Sequence, residues 1–163
     1  MAFCPLDYRY GSQDFKDIWS ERGRHERQIE VERALIWAHW QMGKVTEEDY
    51  RIIESISNPE DVTKERVSEI EAQTKHDIMA LTKAMAEAAG DAGWCIHLGA
   101  TSNDIVDTAV ALQLRDSIVL LKNSLKKLIK QTAELADREK ATVMLGRTHG
   151  QAAVPITFGL KVA

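Results

Sequence analysis

Apolar residues recur along most of this chain at intervals of three and four, the spacing that lines them up on one face of an α-helix. Between Gln13 and Met42, the residues Ile29, Leu35, Ile36 and Trp40 fall within one broad stripe, which predicts a first helix interrupted, if anywhere, near Gly23. Gly43 supplies a stop, and Thr46 with Glu47 and Glu48 marks the acidic start of a short second helix. Asn58-Pro59 makes a turn. From Thr63 to Ala89, the residues Val67, Ile70, Thr74, Ile78, Leu81 and Met85 keep helical spacing until Gly90 and Gly93, which predicts a single third helix. Trp94 to Ser102 is a connection, and Asn103 or Asp104 opens a long helix to about Lys140 with Ile105, Ala109, Leu112, Leu120, Leu128 and Leu135 on its apolar face. Gly146 to Gly150 is expected to be a loop, and the closing QAAVPITFGLKVA the opening of a helix cut off in mid-course.

Strand templates find little to match, so the predicted fold class is all-α. The 163 residues suffice for one domain with a core, or for part of a larger protein. With 44% hydrophobic and 28% charged residues, neither a disordered chain nor a membrane protein is expected. A net charge of -4 argues against a nucleic-acid-binding surface but leaves a local anion site open. Cys4 and Cys95 are too few for a disulfide scaffold and lack metal-ligand spacing with the histidines, and are expected to be reduced thiols. The N-terminus lacks a basic stretch followed by an apolar core, and no apolar run is long enough to span a membrane, so a cytoplasmic location is expected. Lys122, Lys126, Lys127 and Lys130 form a basic strip expected to be a solvated face. Trp19, Trp37, Trp40 and Trp94 are expected in a core or a subunit interface.

Three segments exceed the needs of helix packing. Thr74-Lys75-His76-Asp77, within the predicted third helix, sweeps most of the circumference at roughly 100° per residue. It is either a polar helix shoulder with His76 exposed or a set of polar groups flanking the buried stripe. His97-Leu98-Gly99-Ala100-Thr101-Ser102-Asn103-Asp104 places Thr101 and Ser102 beside free N–H groups at the start of the long helix. That arrangement suits a carboxylate or phosphate, and it equally suits a simple helix cap. His97 alone reads as a partly buried histidine bonded to backbone. Gly146-Arg147-Thr148-His149-Gly150-Gln151 holds a histidine between glycines, with a hydroxyl and a cation at hand. This is the chemistry of an exposed acid or base. A plain helix-to-helix turn accounts for the glycines but not for the rest.

In this order, KHDIMA, HLGATSNDIVDTA and GRTHGQAAVPITFG resemble the adenylosuccinate lyase family of the fumarase/aspartase superfamily. Asp7-Tyr8-Arg9-Tyr10 and the stretch from Ile18-Trp19 to Glu30-Val31-Glu32 resemble that family's opening. The resemblance spans the whole chain and corresponds to the N-terminal third of such enzymes. The family's G-S-S-x-M-P-x-K-x-N loop, with the serine held to act as base, would lie beyond Ala163, and Ala152 stands where proline is common.

What the resemblance implies is β-elimination of fumarate from adenylosuccinate to give AMP, and from the related succinyl-carboxamide ribotide of purine synthesis. It implies His149 as general acid, with His76 assisting it or positioning substrate. Thr101 and Ser102 would hold a succinyl carboxylate, Lys75 and Asp77 would line the site with Thr148 and Gln151, and Arg9 and Tyr10 would grip the AMP phosphate. No metal or organic cofactor and no nucleic-acid partner is implied. Residues 1–102 would form an N-terminal helical domain, and 103–163 the beginning of a long-helix central bundle shared in a homotetramer. Two alternatives stand beside this: a carboxymuconate cycloisomerase-like enzyme of the same superfamily, and a non-catalytic helical fragment that keeps the motifs without a complete site.

Overall fold

A computed structural model describes residues 9–163, so the expectations for Cys4, Asp7 and Tyr8 lie outside the described residues. The elements are α1 (Gln13–Ile18), α2 (Glu21–Gln41), α3 (Glu47–Ile56), α4 (Lys64–Thr74), α5 (Asp77–Ala89), a 3₁₀ turn (Gly90–Cys95), α6 (Ser102–Arg138), strands β1 (Val143–Thr148) and β2 (Gln151–Thr157), and α7 (Phe158–Val162). Among the described residues, the regular structure is helical apart from one two-stranded antiparallel sheet. The residues form two compact units, one ending at Ser117 and one beginning at Ile118, so the boundary falls inside α6.

The core of the first unit joins Ile29 and Ile36 of α2, Ile53 of α3, Ile70 of α4, and Leu81 and Met85 of α5 to Cys95 at the end of the 3₁₀ turn and Ile96 just beyond it. A second cluster packs Val31, Ile78, Ile105 and Ala109 together, which ties α2 and α5 to the start of α6. On α6 the buried residues are Ile105, Ala109, Gln113 and Ser117, a stripe of spacing four. Both of its polar members are used. Gln113 Nε2 donates to the Ile18 carbonyl at 2.6 Å, and Ser117 Oγ accepts from Trp19 Nε1 at 2.9 Å. Trp40 stacks on Tyr50 with ring centroids 4.5 Å apart, whereas Trp37 and Trp94 are exposed.

Four sequence expectations are corrected. The first predicted helix is two, α1 and α2, because Ser20 caps α2 by accepting from the Gly23 N–H at 2.9 Å. Gly23 is a contact point rather than a break: a Cβ there would lie 2.3 Å from the Asp17 carbonyl oxygen. The predicted third helix is also two. Lys75 takes a left-handed backbone (φ 55) that ends α4, and His76 caps α5. Arg66 near the start of α4 makes a bidentate pair with Glu87 near the end of α5, at 2.8 and 3.0 Å, so the two helices run antiparallel. Apolar spacing continues through the turn, and periodicity alone does not register it.

The predicted loop at Gly146–Gly150 and much of the predicted closing helix are instead the hairpin β1–β2 in the second unit, and only Phe158–Val162 is helical. Thr148 pairs with Gln151 across His149 and Gly150, whose φ values of 49 and 75 fit a two-residue turn of type I′. The register shifts between Leu145 and Arg147, where a Cβ on Gly146 would lie 2.6 Å from the Val154 carbonyl. Pro155 is tolerated because a two-stranded ribbon has only edge strands.

The left-handed turn at Lys75 strains an L-residue, which glycine would relieve. Lys75→Gly is expected to raise the unfolding free energy by about 0.5–1 kcal/mol in urea titrations, and Lys75→Ala to give no such gain. Equal stability of the two variants would remove strain as the account of this turn.

Candidate active site

The α4–α5 turn is held by its own polar residues. The Lys75 N–H donates to the Glu71 carbonyl at 2.8 Å, and the His76 Nδ1 accepts from the Met79 N–H at 3.2 Å. An Nδ1 that accepts carries no proton, so neutral His76 holds its hydrogen on Nε2. That atom lies 3.4 Å from Ser102 Oγ at the first residue of α6. Two motif segments separated by 26 residues are thereby joined through His76 and Ser102. His76 is exposed and Ser102 half-buried, so the pair is within reach of a ligand.

Thr101 ends the approach to α6. Its carbonyl accepts from the Asp104 N–H at 3.0 Å, and its own N–H donates to Asp104 Oδ2 at 2.8 Å. Asp104 thus supplies the returning carboxylate of a capping box, and the Thr101 hydroxyl takes no part in the cap. Asp77 lies between two groups, with its Oδ1 3.7 Å from His76 Nδ1. Its Oδ2 accepts from Arg24 at 3.0 Å, on the wall of an open cleft of about 230 Å³ that Glu21, His25, Gln28 and Lys64 also line. Lys75 is exposed beside Ser68 and Glu71. Arg9 and Tyr10 are exposed neighbours, with the guanidinium carbon 5.9 Å from the ring centroid. Among the described residues neither hydrogen-bonds to the His76–Ser102 pair.

In the second unit, His149 occupies the first central position of the hairpin turn, fully at the surface, with Thr148 and Gln151 as the closing pair. The hairpin places the histidine at its tip, where the sequence had suggested a loop between helices.

Two residues went unrecognised in the sequence as partners. His97 is bonded to a side chain rather than to backbone: its Nδ1 lies 2.6 Å from Oε1 of Glu32, which is completely buried. Burial pushes the Glu32 carboxyl above its ordinary pKa range, and the His97 hydrogen bond offsets this in part. One residue further, the Leu98 carbonyl accepts from His39 Nε2 at 2.7 Å. The available signal was Glu32 itself, a carboxylate in phase with buried Ile29 and Ile36.

The chain belongs to the lyase family: the family model described as "Lyase" matches residues 8–163. It is 47% identical over its full length to the adenylosuccinate lyase of Pyrococcus horikoshii and 52% identical to that of Archaeoglobus fulgidus. In each case it spans 36% of the relative's length. A solved 3-carboxy-cis,cis-muconate lactonizing enzyme from Pseudomonas putida superposes with a TM-score of 0.86 at 31% identity, over 96% of this chain and 37% of that one.

The His76 cap gives a stability test independent of chemistry. His76→Ala is expected to lower the unfolding free energy by about 1 kcal/mol, and His76→Asn, which keeps an acceptor for the Met79 N–H, to restore it. If His76→Asn proved as unstable in urea as His76→Ala, the cap would not be the reason for that histidine's position.

Proposed function

We propose that this chain is the N-terminal part of an adenylosuccinate lyase, a soluble cytoplasmic enzyme that releases fumarate from adenylosuccinate to leave AMP and from the corresponding succinyl-carboxamide ribotide. The observation that carries the reading is the 3.4 Å approach of His76 Nε2 to Ser102 Oγ, which brings the K-H-D and T-S-x-D segments together at one surface. The high identity to adenylosuccinate lyases along the whole chain supports it further.

Cleaving this C–N bond requires a base to take a proton beside a carboxylate, donors to stabilise the dianion that forms, and an acid to protonate the leaving nitrogen. His149 is the acid, exposed on its hairpin tip. His76, with its proton on Nε2 and Nδ1 committed to Met79, acts as a neutral donor that positions substrate. The Thr101 and Ser102 hydroxyls, beside the free N–H groups of the first turn of α6, receive a succinyl carboxylate. Lys75 and Asp77 of the first unit are substrate contacts, as are Thr148 and Gln151 of the second, and Arg9 and Tyr10 take the phosphate, for which a guanidinium fork is suited. The base belongs to the signature loop expected beyond Ala163.

Residues 1–102 form the N-terminal domain in this reading, and 103–163 begin the central bundle of a homotetramer. The exposed apolar residues of α6 from Ile118 to Ile129, among them Leu121, Leu125 and Leu128, agree with such a shared bundle. The cycloisomerase-like alternative shares the fold, but the chain's identity to the lactonizing enzyme is well below its identity to adenylosuccinate lyases.

The full reading frame is expected to release fumarate from adenylosuccinate, and His149→Ala to lower kcat by roughly 10²–10⁴-fold. The 163 residues alone are expected to give little or no release. A folded full-length protein that releases none overturns the reading, and turnover unaffected by His149→Ala overturns the assignment of the acid.

A further inference from the structure

Glu32 occupies a position where packing calls for an apolar residue. It lies in phase with Ile29 and Ile36 on α2 and is as fully buried as they are. Removing a carboxylate from water is unfavourable by several kcal/mol unless partners compensate. Only Oε1 has a partner, the His97 Nδ1 at 2.6 Å, while Oε2 is buried without one. His97 carries a second strain, a φ of 61 in a residue with a side chain. Two unfavourable features thus meet in one contact, and a glutamine or leucine would serve the fold with less.

The same face of α2 grips the loop again two turns on, where His39 donates to the Leu98 carbonyl. Glu32 and His39 therefore fix consecutive residues of the loop that leads to Thr101 and Ser102. His97 is about a quarter exposed, and its Nε2 is not among the buried side-chain atoms lacking a hydrogen bond. Nothing among the described residues bonds to Nε2.

We propose that Glu32 is a positioning residue: its buried carboxylate holds His97 in the tautomer with the proton on Nδ1, leaving the Nε2 lone pair to accept a hydrogen bond from a ligand donor at the Thr101–Ser102 loop. A carboxylate behind an imidazole selects the tautomer, fixes the ring and makes the far nitrogen a better acceptor. The group it receives is an N–H or O–H of the substrate. His76 is held in the opposite tautomer by the Met79 N–H, so the two histidines flanking this loop present one acceptor and one donor.

The tautomer is read directly from long-range ¹H–¹⁵N spectra of this chain with labelled histidine. Wild type is expected to show His97 protonated at Nδ1 and bare at Nε2, and Glu32→Gln to populate the Nε2–H form that free histidine favours. A wild-type His97 with its proton on Nε2, or a tautomer unchanged in Glu32→Gln, overturns the proposal. The second arm rests on the lyase reading and uses the full reading frame. Glu32→Gln is expected to lower kcat/KM for adenylosuccinate on the order of ten- to hundredfold, as for other histidines oriented by a carboxylate. In a His97→Gln background it should add less than about twofold, because it acts through His97. Effects that multiply overturn the proposal. Absence of turnover in the unmutated protein overturns the lyase reading instead, and the tautomer still decides the role of Glu32.

Discussion

The left-handed backbone at Lys75 governs the geometry of the first unit. It ends α4 after Thr74, so that α5 starts anew at Asp77 and returns antiparallel along α4. With that reversal, Ile70 and Leu81 enter one core while Ile78 joins Val31, Ile105 and Ala109 in the other. A continuous helix from Thr63 to Ala89 would extend roughly 40 Å, at 1.5 Å per residue, and could not fold back on itself. The cap on the new helix is His76, and only at that position does its ring reach Ser102. Backbone, packing and candidate chemistry therefore share one turn.

Much of the helical plan could be read from spacing. The C-terminal end of α2, the short α3 and the span of α6 follow from Gly43, from Thr46 with its acidic neighbours, and from the residues before Ile105. These are local signals, and local energetics decides them. The α4–α5 turn escaped because Lys75 is not a glycine and the apolar phase survives the turn. The hairpin escaped for a different reason. Val143 to Thr157 contains Gly146, the Ala152-Ala153 pair and Pro155, which blur any alternation, and the deciding cue was the His149-Gly150 dipeptide, used here as Asn-Gly is used in other tight hairpins. Of the candidate site, the three segments were legible as unusual composition. Their contacts were not, since nothing in the spacing of His76 and Ser102, or of Glu32 and His97, specifies a tertiary approach.

Non-glycine residues with positive φ number three among the described residues: Lys75, His97 and His149. One falls in each of the three segments that composition had set apart. Such a backbone is unfavourable by roughly 1–3 kcal/mol wherever it occurs, and it persists only when the surroundings impose it. Here the imposing contacts are identifiable: the Lys75 N–H on the Glu71 carbonyl, Glu32 and His39 on the His97–Leu98 loop, and the Thr148–Gln151 pair closing the hairpin around His149. Glycine at any of these positions would relieve the strain, and glycine already serves at Gly99 and Gly150 beside two of them. A lysine and two histidines therefore stand where the fold prefers no side chain. Folding alone gives no reason for that choice, and in the proposed reading each of these side chains is placed for chemistry rather than for packing.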